Sequence, residues 1–141
     1  MTLRKGSIER PVTRIPTPSE IHQELVAFSF KYIELGHEKY GLPDAELKKE
    51  YLGCLLERLK QISTMKFSEF RQAGKTLRSH QIKWCDTTDP DGYAHLSEQM
   101  QACEPWQFSI TRENLGRIHG LILGNVFYVV WIDHDHKLYS Q

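Results

Sequence analysis

The sequence has no surplus of either charge. Eighteen Lys and Arg stand against 18 Asp and Glu in 141 residues, which excludes a strongly basic nucleic-acid domain and an acidic disordered chain. Long apolar runs are also missing. The longest, Val126 to Ile132, spans seven residues, against the roughly 18 that a membrane helix needs, so no membrane association is expected. Cysteine is scarce: Cys54, Cys85 and Cys103 are odd in number and form no Cys-x-x-Cys. That argues against a disulfide framework and a zinc finger, and it fits a reducing compartment. The first residues carry charge with no apolar stretch behind them, so no signal peptide and a cytoplasmic location are expected. Nucleophile elbow, P-loop, GxGxxG and HExxH patterns are all lacking, and no cofactor is expected. What remains, 40% hydrophobic and 26% charged residues, is the composition of one globular domain.

Residues 1–16 hold Arg4, Lys5, Arg10 and Arg14 against Glu9 alone, a local charge of 4 − 1 = +3. Pro11 and Pro16 interrupt them and their apolar residues have no period, so they read as a flexible basic arm before a domain at 17–141. Thr17-Pro18-Ser19-Glu20 has the composition of a helix start. Ile21, Leu25, Phe28, Tyr32 and Leu35 follow at steps of four, three, four and three, and Gly36 can end the helix. Asp44 caps a second helix whose stripe is Leu47, Tyr51, Leu55, Leu59 and Ile62, widened by Leu52 and Leu56. Together, residues 17–63 read as a helical hairpin. A short helix from Met65 to Gln72, stopped at Ala73-Gly74, opens the second part, 64–141.

From residue 80 the apolar period becomes two. Ile82 and Trp84 mark a short strand, Asp89-Pro90-Asp91-Gly92 a turn, Tyr93 to Cys103 a short helix, and Trp106, Phe108 and Ile110 a second strand. Gly124-Asn125 is a two-residue hairpin turn between two apolar strands. An unbroken register from it pairs Leu121 with Tyr128, His119 with Val130 and Arg117 with Ile132. Ile118, Ile122, Phe127, Val129 and Trp131 then lie on the face toward the helices. The expected fold is α+β: an N-terminal helical hairpin on an antiparallel sheet of three or four strands.

Titratable residues crowd the last strand end, Asp133-His134-Asp135-His136-Lys137-Leu138-Tyr139. If the strand continues, His134 and His136 share a face and approach Arg117 and His119. Imidazoles near neutral pH with a forked guanidinium form a set suited to acid–base work on a phosphodiester. Two other readings of the segment stand beside this one. The aspartates could merely cap a turn while the histidines serve structure, or His134-x-His136 with Asp133 or Asp135 could ligate a metal.

Gly116-Arg117-Ile118-His119-Gly120, Asn125 to Asp133 with its Phe127-x-x-x-Trp131, and His136-Lys137-Leu138-Tyr139 together resemble the end of small toxin-like bacterial proteins. Helices followed by an antiparallel sheet are similar to the RelE/ParE toxin superfamily, many of whose members are ribonucleases, ribosome-dependent or free, paired with antitoxins. The resemblance implies metal-independent RNA cleavage of the mRNA interferase type by Arg117, His119, His136 and Tyr139, with Lys137, Tyr128 and His134 contacting RNA. It also implies RNA or the ribosome and an antitoxin protein as partners. The alternative is a non-catalytic binding module: an immunity protein, an antitoxin-like protein or a mobile-element accessory factor.

Overall fold

A computed structural model describes residues 25–42, 48–111 and 116–139, together with Ile15 and Thr17. The basic arm, the Thr17-Pro18-Ser19-Glu20 start and the Asp44 cap fall almost wholly outside these residues. Within them the fold is mixed α+β. Strand β1 is Ala27–Ser29, followed by helices α1 (Lys48–Ser63), α2 (Phe67–Gln72) and α3 (Gly74–Leu77). Strand β2 (His80–Gln81), a 3-10 turn at Trp84–Asp86, helix α4 (Glu98–Gln101) and strands β3 (Glu104–Ser109), β4 (Arg117–Leu123) and β5 (Val126–Asp133) complete it.

The five strands form one sheet in the order β1-β5-β4-β3-β2. Three of its four pairings are antiparallel, as expected, but β1 runs parallel to β5, with Phe28 opposite Phe127. The sheet is therefore mixed. Residues 27–36, expected as helix, form this strand and a series of turns instead. Their apolar residues serve opposite faces of the sheet: Phe28 packs with Phe108 and Phe127 on the helix side, while Tyr32 packs against Tyr128 on the other.

Helix α1 is close to expectation. Tyr51 and Ile62 are buried against the sheet with Leu55 and Leu59 beside them, but Leu52 and Leu56 face outward, Leu56 at 63% exposure. Helix α2 begins where the Glu69 carboxylate accepts the Lys66 N–H at 2.7 Å, and it buries Phe70 among Trp106, Phe108 and Phe127. The expected strand at Ile82–Trp84 lies two residues earlier, at His80–Gln81, because Trp84 turns out of the sheet into the 3-10 turn. The 89–92 turn forms, with the Gly92 N–H donating to the Asp89 carbonyl at 2.9 Å. The expected helix at 93–103 is confined to Glu98–Gln101.

The Gly124-Asn125 hairpin is present and Leu121 faces Tyr128, but the register does not continue unbroken. A bulge between His119 and Gly120 pairs Gly120 with Val129, His119 with Trp131 and Arg117 with Asp133, so Val130 is the extra residue. A Cβ on Gly120 would stand 2.1 Å from the Tyr128 carbonyl oxygen, so only glycine permits this close approach. The bulge reverses the alternation. Val130 and Trp131 both lie on the face away from the helices, Ile132 turns to the helix side in place of Trp131, and Asp133 joins the face of His119 and Arg117. That face has its own core. Trp131, 3% exposed, stacks on Tyr40 at 4.6 Å, meets Tyr93 edge-on at 4.9 Å, and donates its indole N–H to Glu34 at 2.6 Å. Burial on both faces explains why β4 and β5 read as nearly continuous apolar runs.

Candidate functional site

On the face away from the helices a polar row crosses the sheet. The pairings place His80 beside Gln107, Gln107 beside His119, and His119 beside Trp131; one step on, Ser109, Arg117 and Asp133 stand in line. The segment 134–139 folds back over this row, held chiefly by Asp133. Its Oδ1 accepts the Lys137 N–H at 2.7 Å, and its Oδ2 accepts the Leu138 N–H at 2.9 Å and faces His119 Nε2 at 3.0 Å. Thr88 adds two bonds, donating its N–H to the Leu138 carbonyl at 2.7 Å and its hydroxyl to the Lys137 carbonyl at 2.9 Å. Strand β5 therefore stops at Asp133, and the residues after it follow a turn.

His119 and Asp133 are both 0% exposed. Burial pushes the His119 imidazole below its ordinary value and outweighs the pull of the Asp133 carboxylate. For Asp133, burial alone would raise the carboxyl, but the bonds from His119, Lys137 and Leu138 together hold it below the usual carboxylate range. The pair is thus a neutral imidazole donating Nε2–H to an ionised carboxylate. Resemblance placed His119 among the catalytic residues; in the structure its side chain lies beneath the surface.

Above it opens a cleft of about 470 Å³ lined by Arg78, His80, Gln107, Arg117, His136 and Tyr139, with Gly74 and Ser79. Three of the four expected catalytic residues, Arg117, His136 and Tyr139, meet here. Among the described residues no carboxylate lines it, and two guanidiniums do, on a chain of zero formal charge. Burial lowers the Arg117 guanidinium from its usual value and nearby Arg78 adds to this, while Asp133 opposes it. Burial likewise lowers His136, with Arg117 contributing. Two buried polar atoms of the cleft residues, Arg117 Nε and Gln107 Oε1, have no hydrogen-bond partner among the described residues.

Backbone strain gathers at the same place. Among the described residues only two non-glycines have positive φ, Arg78 at 51° and His136 at 55°, and both line the cleft. The left-handed conformation costs an L-residue roughly 1–2 kcal/mol, and strained residues concentrate at functional sites. Buried hydroxyls anchor the chain on either side of Arg78: Ser79 Oγ donates to the Phe70 carbonyl in α2 at 3.0 Å, and Ser109 Oγ to the Leu77 carbonyl at the end of α3 at 2.9 Å.

The expected RNA contacts do not converge here. His134 turns to the helix side, where its ring meets Tyr51 edge-on at 6.5 Å, and its Nε2 lies 3.3 Å from Asp135. Exposed Lys137 pairs with Asp135 at 3.5 Å. Tyr128 packs on Tyr32, four residues along the ladder from Arg117. With His134 and His136 on opposite sides, the His-x-His ligand pair does not form, and among the described residues no three His, Cys, Asp or Glu side chains gather as metal ligands would. Arg78, His80 and Gln107 escaped the sequence reading. His80 has the parity of Ile82, so carrying the alternation back two residues would have placed it on this face. Gln107 alternates with Trp106 and Phe108 in the same way.

A larger hollow of about 830 Å³ lies between α1 and α3, bordered by Glu57, Arg58, Lys75 and Thr111. Among the described residues no imidazole lines it, and its Arg58 is occupied by the Ile110 carbonyl and Gln61. No helix among the described residues is long and apolar enough to cross a membrane. Compared with protein-family models, curated proteins and solved structures, the chain matches none.

Proposed function

We propose that this protein is a toxin-like endoribonuclease that cleaves RNA with side chains alone, at the cleft formed by Arg78, His80, Arg117, His136 and Tyr139. The observation that carries this reading is the convergence of two guanidiniums and two imidazoles on one cleft that no described carboxylate lines, with the two non-glycine left-handed residues among those described. Arg78 and Arg117 hold the scissile phosphate and meet the charge that grows on its oxygens in the transition state. His136, whose imidazole burial and Arg117 hold below its ordinary value, takes the proton of the ribose 2′-hydroxyl. The 2′-oxygen attacks phosphorus, the bond from phosphorus to the 5′-oxygen breaks, and His80 gives a proton to that oxygen. The products are a 2′,3′-cyclic phosphate and a 5′-hydroxyl. The Nδ1 of His80 lies 2.9 Å from the Gln81 carbonyl, which fixes the ring and leaves Nε2 for this transfer.

The test is incubation of the purified protein with RNA in the presence of chelator, followed by analysis of the product ends. His136→Ala and His80→Ala should each slow cleavage by roughly 10²–10⁴-fold. Intact RNA with the unmodified protein, or unchanged rates in both variants, would refute the proposal. Burial of His119 favours a second reading, a module that binds a phosphate-bearing partner without cutting it; binding of RNA without cleavage would establish that one.

A further inference from the structure

Helix α1 keeps an apolar strip on the side turned away from the sheet. Leu52 and Leu56, one turn apart, are 46% and 63% exposed. Gly53 stands beside them, inside the 16-residue helix. Glycine weakens a helix interior relative to alanine, because its backbone has more freedom to lose. Gly120 is glycine because the Tyr128 carbonyl oxygen crowds it, but Gly53 has no such neighbour: a Cβ there would meet nothing within 4 Å. A helix glycine that its own fold does not need lets a second backbone come close. The charges of the same strip are self-complementary. Lys49 lies one turn before Gly53 and Glu57 one turn after it, so the three share a face. Both are exposed, and among the described residues no ion pair engages either.

We propose that this strip of α1 is the interface of a homodimer, in which two copies of the helix pack antiparallel across Gly53. A two-fold axis beside Gly53 sets Gly53 against Gly53 and brings Lys49 of each copy to Glu57 of the other. A parallel partner helix in the same register would set Lys49 against Lys49 and Glu57 against Glu57, so the charges select the antiparallel arrangement. The two-fold also carries the Leu52 and Leu56 flank of one copy onto the same flank of the other, which takes four exposed leucines out of water. On the opposite flank the crossing covers the rim of the 830 Å³ hollow, where Gly53 and Glu57 stand. Each contact of such an isologous interface is made twice, which doubles the effect of a short strip. One helix from each copy makes a small interface, so the dimer is a weak one that forms at micromolar concentrations. Helix α1 packs on the other face of the sheet from His119 and Trp131, and the proposal does not depend on the chemistry of the cleft.

The experiment is sedimentation equilibrium of the full chain at low salt, over roughly 1–200 μM. The mass should rise with concentration from 16.5 kDa toward twice that value. Leu56→Gln should raise the dimer Kd at least about tenfold, because it removes apolar burial at two symmetric places. Gly53→Ala should raise Kd at least about threefold, and it should also raise the melting temperature of the dilute monomer by roughly 1–4 °C. That opposite response separates a lost interface from a damaged fold. Lys49→Glu and Glu57→Lys should each raise Kd by roughly 3- to 30-fold, since each brings like charges together twice, and the two combined should return Kd to within about twofold of the unmodified chain. A chain still monomeric at about 200 μM, a dimer indifferent to Leu56→Gln or Gly53→Ala, or a double charge variant no tighter than the single ones would overturn the proposal.

Discussion

Replacing Asp133 with asparagine removes one negative charge from a position where three donors meet it, all of them out of water. The carboxylate accepts from His119 Nε2 at 3.0 Å, from the Lys137 N–H at 2.7 Å and from the Leu138 N–H at 2.9 Å. An asparagine oxygen left on the His119 and Leu138 side keeps two of these as neutral bonds. Its amide nitrogen then confronts the Lys137 N–H, donor against donor. A buried donor without a partner costs about 1–3 kcal/mol, and each downgraded charge-assisted bond costs something under about 1.5 kcal/mol more. The sum, about 3–5 kcal/mol, agrees with the usual cost of breaking a buried charged pair from one side. At about 2–4 °C per kcal/mol for a chain of this size, thermal melts at pH 7 should shift down by roughly 6–20 °C.

The pH dependence gives a second check on the same substitution. The Asp133 carboxyl is held below 3.8 in the fold, so its contribution is present above that value and lost as pH falls through the folded value. The gap between wild type and Asp133→Asn, read from urea midpoints, should narrow as pH drops below 3.8. His119 acts in the same direction at higher pH. Burial lowers it from 6.5, the unfolded chain takes up its proton first, and stability declines as pH falls below 6.5, by up to about 1.4 kcal/mol per pH unit. An Asp133→Asn protein melting within about 2 °C of wild type, or a gap unchanged at acid pH, would refute an ionised, buried Asp133.

Two further outcomes follow from the bulge and the cleft. Gly120→Ala should destabilise by about 3 kcal/mol or more, the upper end of overpacking, since its Cβ would meet the Tyr128 carbonyl oxygen at 2.1 Å and Phe127 Cε1 at 2.4 Å; a urea midpoint equal to wild type would contradict the strand pairing. RNA cleavage should rise with pH along a limb whose midpoint lies below 6.5, because burial lowers His136 from that value and its neutral form is the base; the pH–rate profile of His136→Ala should lose that limb.

Where local pattern decided the structure, the sequence was legible. Gly124-Asn125 between apolar strands gives the hairpin, the Tyr51 to Ile62 stripe gives α1, and the Trp106-Phe108-Ile110 alternation gives β3. The failure at residues 25–36 has a physical cause. Phe28, Tyr32 and Leu35 have helical spacing, but β1 is three residues long, too short to display a period of two. After it, turns send Phe28 to the helix-side core and Tyr32 to the opposite one, while Leu35 is left 49% exposed. Equal spacing can thus arise from one helix or from a strand and turns that serve two faces. Tertiary pairing with β5, which no local signal encodes, selects the second.

The candidate site was half legible for a related reason. Two-residue alternation across the hairpin places Arg117 and His119 together, and they are together. The same alternation, unbroken, would put Ile132 opposite Arg117 and send Asp133 into the apolar helix-side core, where an ionised carboxylate has no partner. A bulge at Gly120 costs one ladder pairing and resolves that conflict: Ile132 enters the apolar core, and Asp133 arrives opposite Arg117 and within 3.0 Å of His119. From there Asp133 takes up His119 and the backbone of residues 137 and 138, which turns the following segment and brings His136 and Tyr139 over Arg117. His119 therefore lies one layer below the cleft that Arg117, His136 and Tyr139 line. Glycine in a strand between His and Leu was the available sign of a bulge, and reading it as one places an acidic residue beneath the cleft, where it can hold the histidine that supports the site and the loop that forms it.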